Sequence, residues 1–362
     1  MSVVLGARAL NRATLARQLL LKRAELTPLA AVSHLVGMQA QVPHNPYTAL
    51  WSRLDGFRPG SLSELLERRE VVRIGVMRAT IHLLTEDDCL LLRPLTQPVF
   101  EGQLWRHRDL SPHLRGIDLD PVVEAGRVML EEPRTGTELR AFFAARFPKL
   151  DAAALVYACQ MRLALVQVPP RGLWGKSAHV RWTTAEAWLG RPLAATPSLE
   201  AVVLRYLAAF GPASVADVTT WCRLTRLRAV VERLRPRLVT FRDERGRELF
   251  DLPDAPRPDP DTPAPVRFLP EYDNVLLSHD DRSRFRSEQD HAAALALGWG
   301  AGWGALLHDG VVRGRWRLEP EGVLVRHVRL PKKAAASIAA EGRRLTRFLG
   351  IKADVRLEAV SR

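Results

Sequence analysis

The segment 199–252, LEAVVLRYLAAFGPASVADVTTWCRLTRLRAVVERLRPRLVTFRDERGRELFDL, shows the order of its elements more clearly than any other part of the chain. Apolar residues recur at helical spacing over Leu199–Phe210, and a Gly-Pro pair breaks the pattern before a second helix at Val215–Cys222. A third helix is predicted at Arg226–Leu234, followed by two short β-rich runs around the turn Asp243–Arg247. Helix, helix, turn, helix and hairpin is the order of a winged helix, a variant of the helix-turn-helix fold.

Two earlier segments have a similar order of short helices followed by β-rich sequence. In the first, Thr27 caps a predicted helix over Pro28–Met38, and Val71–Val76 and Thr80–Leu84 are predicted to pair as strands. In the second, Thr135–Arg140 carries the cap and start signal of a further helix. The sequence therefore predicts three tandem winged-helix units in an α+β protein.

A proline-rich stretch follows the third unit. The run DAPRPDPDTPAP at 254–265 has the composition of a linker or domain boundary. Short alternating segments come next, then a helix at Lys332–Leu349 and strand-like Asp354–Leu357, which together predict a small C-terminal β-barrel or sheet domain. The predicted domains are 8–115, 116–195, 196–258 and 262–362.

The balance of charge favours an anionic partner. The 362 residues include 53 Lys and Arg against 40 Asp and Glu, which gives a net charge of +13. Of these 53, 6 are Lys and 47 are Arg; GC-rich coding also explains that ratio, but it does not explain the positive excess. The sequence has no uncharged apolar run of membrane-spanning length, no signal-peptide pattern and no CxxC pair. We therefore expect a cytosolic protein that binds nucleic acid rather than a membrane.

The stretch Met38-Gln39-Ala40-Gln41-Val42-Pro43 places two glutamines at the end of an apolar helical run. Glutamine is usually a surface residue, so two neutral amides at the edge of a core indicate a site that positions a polar group such as a water. The alternative is local capping of the helix end. Because Pro43 disfavours helix at Val42, we predict that Gln41 lies at or beyond the helix end, where residues two apart share a face.

Three stretches match a known family in combination, although none of them is specific alone. They are Gly37–Tyr47 (GMQAQVPHNPY), Met77–Leu83 (MRATIHL) and Leu269–Arg284 (LPEYDNVLLSHDDRSR). Through them the chain resembles, over nearly its whole length, the AlkZ-like winged-helix DNA glycosylases, bacterial enzymes that excise N-alkylated purines and unhook interstrand crosslinks. The resemblance implies three tandem winged helices that form a concave surface, plus a C-terminal β-barrel domain.

The resemblance also implies that Gln39 and Gln41 are the catalytic residues, because they match the family's Gln-x-Gln motif. Glutamine at the second position is typical of the AlkZ-type branch, which is associated with resistance to bulky alkylating natural products. An N7-alkylated purine is already cationic, so it leaves without a proton donor through a transition state that resembles an oxocarbenium ion. Two amide carbonyls can orient a water and stabilise the developing positive charge, so we expect no cofactor and no metal.

Other basic and polar residues are predicted to contact DNA or the lesion, or to support the active site. His44 and Asn45 follow the glutamine pair, and Arg78, Thr80 and His82 share one face of a strand. Arg242, Arg245 and Arg247 lie at the tip of the predicted hairpin, the wing, and Lys332 and Lys333 lie on the last helix. Turn caps, a hydrogen-bonded strand face and a solvated helix face are the alternatives. Trp51, Trp174 and Trp316 are predicted to form core or cleft walls.

An acid-rich run near residue 280 has no metal-site spacing, so we predict a structured turn whose acids pair with neighbouring arginines. The residues of metal-binding type in this run are Asp273, His279, Asp280 and Asp281, and the arginines predicted to pair with the acids are Arg282, Arg284 or Arg286.

We therefore expect a monofunctional DNA glycosylase that acts as a monomer on double-stranded DNA with alkylated purines, in the cytoplasm at the bacterial nucleoid. Two alternatives remain open. A non-catalytic winged-helix regulator predicts sequence-specific binding, usually as a dimer, and three units in one chain argue against a simple dimeric repressor. A self-resistance protein that sequesters an alkylating drug is the other.

Overall fold

The computed structural model describes residues 3–286, 302–328, 330, 332–352 and 354–360. The side chain of Lys332 lies outside the described part of the chain, so its DNA contact stays a prediction. The strands of the described residues form sheets of six, three and five strands, and helices pack around them. This arrangement confirms the predicted α+β class.

The first two predicted units share one six-stranded sheet. Its strand order is β2-β4-β3-β6-β7-β5, so β2 is an edge strand. The first unit contributes α1 (Ala7–Arg17), α2 (Pro28–His34), β2 (Met38–Gln39), α3 (Asn45–Arg53), α4 (Pro59–Glu67), β3 (Val71–Gly75), β4 (Ile81–Thr85) and α5 (Glu86–Leu104). The second contributes α6 (Asp120–Met129), β5 (Arg134–Thr135), α7 (Gly136–Arg146), α8 (Ala152–Arg162), β6 (Leu165–Gln167), β7 (Arg181–Thr184) and α9 (Ala185–Leu189).

The third unit has the predicted order of three helices and a hairpin. Its elements are α10 (Leu199–Phe210), α11 (Val215–Cys222), α12 (Leu227–Leu234), β8 (Val239–Asp243) and β9 (Glu248–Asp251), and β1 (Val4–Leu5) adds a parallel strand beside β8. Ser214 and Asp217 form a capping box at the start of α11, which explains why that helix begins directly after the break. The N-terminal strand therefore covers one edge of the wing.

The predicted helix over Pro28–Met38 is too long. Thr27 does cap α2, but the helix ends at His34 because Val36 and Gly37 turn into the left-handed region, with φ of 54° and 84°. A Cβ on Gly37 would lie 2.2 Å from Leu84 Cδ2, so only glycine allows this close approach to β4. The chain after the turn is extended, and it pairs with β4 instead of continuing the helix.

Among the described residues the C-terminal sheet is open, so the predicted β-barrel is not confirmed and the alternative prediction of a sheet domain describes it. Its order is β10-β11-β12-β13-β14, with β10 and β14 at the two edges. The strands are β10 (Arg267–Leu269), β11 (Gly304–His308), β12 (Val311–Glu319), β13 (Gly322–His327) and β14 (Asp354–Ala359), and α13 (Lys332–Leu349) crosses over between the last two. Buried Ile338 and Leu345 on α13 share a core with Phe268 and Val325 of the sheet. A helix covers this face, so closure is not needed to bury it.

One core joins the first unit to the third. Ile74 and Leu84 of the six-stranded sheet are buried in the same apolar cluster as Tyr206 on α10 and Trp221 on α11. The turn between β3 and β4 therefore lies against the end of α11. Within the described residues, no helix is both long enough and apolar enough to span a bilayer.

Candidate active site

The glutamine pair lies at the exposed edge of the six-stranded sheet. Gln39 is the register partner of His82 on β4, and the Ala40 amide donates to the Ile81 carbonyl at 2.8 Å. Gln39 is half-buried and Gln41 is exposed. Gln41 thus lies beyond the helix end, as predicted, and the backbone around the pair is extended.

Hydrogen bonds fix how both amides are turned. Arg78 Nη2 donates to Gln39 Oε1 at 2.9 Å, and the Ile81 backbone amide donates to Gln41 Oε1 at 3.1 Å. Both partners can only donate, so the acceptor atom in each bond must be the amide oxygen. Each oxygen keeps a second lone pair, and each Nε2 remains a donor. A pair with this arrangement can accept hydrogen bonds from a water and donate hydrogen bonds to a neighbouring acceptor.

A buried guanidinium supports the backbone between the two glutamines. Arg73 on β3 is 1 % exposed, and its Nη2 donates to the Ala40 carbonyl at 2.8 Å. Burial and, to a smaller extent, neighbouring Arg171 lower the pKa of Arg73 to about 10. Arg73 therefore stays charged at neutral pH, and it holds the carbonyl that separates Gln39 from Gln41.

The Leu269–Arg284 stretch braces the glutamine strand from behind. Asn274 Nδ2 donates to the Gly37 carbonyl at 3.0 Å. Asp273 accepts two bonds of 2.8 Å from the guanidinium of Arg53, and both side chains are buried. Asn45 Nδ2 donates to the Glu271 carbonyl at 2.6 Å. These contacts join residues more than two hundred positions apart, and they bring two of the three family-matching stretches together.

A cavity of about 10 Å³ lies beneath Gln39, which is room for about one water. Arg53 and Asn274 also line it, and Arg53 Nε and Asn274 Oδ1 are buried without a hydrogen-bond partner among the described residues. One is a donor and the other an acceptor, so the cavity is polar enough to hold a water that bridges them.

A larger cleft of about 520 Å³ opens beside the pair. It is lined on one side by the loop after Gln41, including His44 and Asn45, and on the other by apolar side chains that include Trp174, Trp316, Leu318, Leu349 and Ile351. Burial lowers the pKa of His44, and nearby Arg73 and Arg171 lower it further. Trp174 and Trp316 are therefore cleft walls, whereas Trp51 stacks on Phe348 in the core.

Thr80 and His82 of the predicted strand face are satisfied within the protein. Thr80 Oγ1 donates to the Met77 carbonyl at 3.1 Å. His82 is fully buried beside Gln39, where it has no surface to offer a DNA backbone. We therefore assign His82 to the support of the site rather than to DNA contact.

Ion pairs occupy part of the predicted wing. Arg247 bonds both Asp243 and Asp281 at 2.6 Å, and Arg245 lies 3.6 Å from Asp281. Arg242 donates to the Gly246 carbonyl at 2.6 Å, and Arg242 and Arg245 are exposed. Lys333 is exposed near the start of α13. These exposed side chains can reach an external phosphate, whereas the guanidinium of Arg247 is occupied by Asp243 and Asp281.

The acid-rich run is a structured turn, but its ion-pair partners differ from those predicted. Asp281 pairs with the wing and Asp273 with Arg53, because the run packs against the first and third units rather than folding on itself. His279 is buried against the Phe210 carbonyl, and the Asp280 amide donates to Asp217. The predicted partners were Arg282, Arg284 and Arg286. No three His, Cys, Asp or Glu side chains in the described part of the chain are placed to hold a metal ion.

Burial of His82 predicts that stability falls as the solution is acidified. Burial and, to a smaller extent, Arg78 lower the pKa of His82 to about 3, and burial likewise lowers the pKa of His279 to about 3. Between pH 6.5 and this value the unfolded chain binds protons that the folded chain does not, so each histidine destabilises the fold by up to about 1.4 kcal/mol per pH unit. Urea unfolding at pH 7, 6 and 5 should show this dependence of the free energy of unfolding on pH. His82→Phe should reduce the slope by the contribution of one histidine. An unchanged slope in that variant would contradict the assignment.

The fold and the site define an α+β protein with a neutral amide pair at the exposed edge of its largest sheet, beside a wide cleft. The family model described as DNA glycosylase AlkZ-like matches residues 32–348 of the chain. The chain belongs to the AlkZ-like DNA glycosylase family. Its fold is similar to that of the Streptomyces sahachiroi DNA glycosylase AlkZ, with a TM-score of 0.77 and 20 % identity over 98 % of this chain and 100 % of that one. No curated protein sequence matches the chain.

Proposed function

We propose that this protein is a monofunctional DNA glycosylase that hydrolyses the N-glycosidic bond of cationic, N-alkylated purines and leaves an abasic site. The observation that carries the proposal is the pair Gln39 and Gln41, held in extended backbone at a sheet edge in a chain of this family. Family membership makes DNA the substrate, and the positive net charge of +13 supports binding to its phosphates.

The two amides supply positioned dipoles rather than a proton. Departure of a cationic purine leaves positive charge on the sugar, and the second lone pair of each amide oxygen can face that charge or a water that attacks it. Arg73 and Arg78 hold the pair from the protein side, through the Ala40 carbonyl and Gln39 Oε1. Because the leaving group already carries its charge, the reaction needs no general acid and no cofactor.

DNA contacts are proposed for the exposed residues His44, Arg242, Arg245 and Lys333 and for the half-buried Asn45. The proposed DNA-binding surface is formed by three winged-helix-like units and the C-terminal sheet domain. Phosphate contacts of this kind fix the register of a duplex without reading its sequence. In this proposal the protein acts as a monomer on chromosomal DNA in the bacterial cytoplasm.

The cleft extends the proposal to bulky N7 adducts and crosslinks. Its volume of about 520 Å³ lies in the range of sites for drug-sized ligands, and it begins at Val42, the residue after Gln41. A substituent on the purine therefore has space beside the pair that a methyl group would not fill. The same cleft supports the rival reading, in which the protein sequesters an alkylating drug without chemistry.

Incubation with a duplex that carries a single N7-methylguanine tests the proposal. The expected result is free N7-methylguanine, detected by mass spectrometry, and a strand that breaks only after alkali. A strand cut without alkali would overturn the monofunctional assignment. Tight binding with no base released would favour the regulator, or the sequestering protein if the free drug competes.

A further inference from the structure

We propose that Arg78 is a positioning residue, which sets the orientation of the Gln39 amide and ties it to the third unit of the fold. The inference rests on the proposed function, because it deepens the role of the glutamine pair. It assigns Arg78 to the protein interior rather than to a DNA phosphate.

The backbone at Arg78 is held in a conformation that favours glycine. Arg78 and Ala79 have φ of 58° and 54°, in the tight turn that joins β3 to β4. A left-handed residue with a Cβ costs about 1 kcal/mol or more relative to a right-handed one. Glycine would adopt this turn without that cost. The presence of arginine at position 78 therefore indicates that its side chain has a role that offsets the cost.

The guanidinium of Arg78 joins three acceptors from separate parts of the chain. Nη1 donates to the Trp221 carbonyl at 2.6 Å, and Nη2 donates to Gln39 Oε1 at 2.9 Å and to His82 Nε2 at 3.2 Å. All three acceptors are uncharged. The full charge of Arg78 therefore faces the Gln39 oxygen, where it polarises the amide and keeps Nε2 turned away.

His82 is compatible with this role in only one form. Arginine cannot accept a hydrogen bond, so His82 Nε2 must be the acceptor and Nδ1 must carry the proton, which it donates to the Thr80 carbonyl at 2.9 Å. Burial holds the pKa of His82 near 3, so the ring is neutral at physiological pH. The ring thus contacts the same nitrogen, Nη2, that donates to Gln39, and it helps to fix the direction of that donor.

The third contact reaches the third unit. Trp221 lies in the last turn of α11, where backbone carbonyls have no partner within the helix, and the negative end of the helix dipole attracts a cation. Arg78 satisfies one of these carbonyls. The orientation of the Gln39 amide therefore depends on how α11 packs against the β3–β4 turn.

Arg78→Met tests this assignment against DNA contact. We expect kcat for release of N7-methylguanine to fall roughly 10- to 100-fold, because a misplaced catalytic group loses rate without losing affinity. The Kd for duplex DNA and its dependence on salt should stay at the wild-type values. Arg245→Met, the matched control on the wing, should weaken binding and reduce the slope of log K against log salt by about one. Arg78→Lys should behave as Arg78→Met does, since one ammonium cannot serve three acceptors in these directions.

A second readout does not require turnover. In protein labelled with ¹⁵N-glutamine, the side-chain NH₂ signals of Gln39, identified by their loss in Gln39→Ala, should shift in Arg78→Met and stay unchanged in Arg245→Met. Unchanged Gln39 signals would overturn the proposal even if the wild type releases no base. Weaker DNA binding with an unchanged kcat in Arg78→Met would overturn it as well, in favour of a phosphate contact.

Discussion

Gln39→Ala and Gln41→Ala are each expected to reduce release of N7-methylguanine by about 10²–10³-fold, the loss seen when one preorganised dipole is removed from a transition state. Each amide oxygen is held by a fixed donor, Arg78 for Gln39 and the Ile81 amide for Gln41. Truncation removes that oxygen and leaves the donor without its acceptor. Single-turnover kinetics with excess protein measure the chemical step directly, apart from product release.

Two controls make this result specific to the pair. Gln103→Ala removes an exposed glutamine near the end of α5 and should leave the rate unchanged. The Kd for duplex DNA should be the same in all three variants, because neither glutamine of the pair carries a charge that could contact a phosphate. Wild-type rates in both Gln39→Ala and Gln41→Ala would show that the pair is structural.

Asp273→Ala is expected to lower the free energy of unfolding by about 3–5 kcal/mol, because it leaves a buried arginine without its counter-charge. Arg53 and Asp273 share two bonds of 2.8 Å, and both side chains are almost inaccessible to solvent. Asp273 also accepts a bond from the Val275 amide at 3.1 Å, so its loss loosens the turn that holds Asn274 against Gly37. Urea unfolding followed by circular dichroism measures the change.

The matched control for Asp273 is an exposed ion pair. Glu200→Ala breaks the pair between Glu200 and Arg233, whose side chains are 36 % and 60 % exposed. Surface pairs of this kind contribute about 1 kcal/mol or less. Equal, small losses in Asp273→Ala and Glu200→Ala would contradict the assignment of Asp273 as a buried brace of the glutamine strand.

Local sequence signals predicted the third unit well. The helices Leu199–Phe210 and Val215–Cys222 have the predicted bounds, because each begins at a serine cap and apolar spacing runs to its end. No helix is predicted from the sequence over α5, Glu86–Leu104, which holds two prolines, Pro94 and Pro98, in its interior. Tertiary packing overrides that local penalty, and no local signal reveals it.

The sequence indicates the glutamine pair as the candidate site but not the residues that support it. Gln39 and Gln41 are separated by one residue, so a motif can show them. Arg73 and the pair Arg53–Asp273 support them across the sheet and across 220 positions of sequence, and no spacing rule connects such residues. Gln39 lies on a strand because the chain makes a left-handed turn at Gly37. The apolar residues before Gly37 have helical spacing, so the sequence does not indicate that turn.

Alternating strands and the family resemblance together left a β-barrel and a sheet domain with one helix as alternatives. Alternation shows that one face of a sheet is buried, but it does not show what buries it. The predicted helix, α13, covers that face, and the sheet is open in the described part of the chain.

A comparison of two leaving groups tests the central claim most directly. Two duplexes differ at one position, which holds either N7-methylguanine or hypoxanthine, a neutral purine that needs a proton to leave. A pair of amides supplies no proton, and general acid catalysis is worth about 10²–10⁴-fold, so N7-methylguanine should be released at least about 10²-fold faster. Comparable release of hypoxanthine, or release of guanine from undamaged DNA, would contradict the account of Gln39 and Gln41.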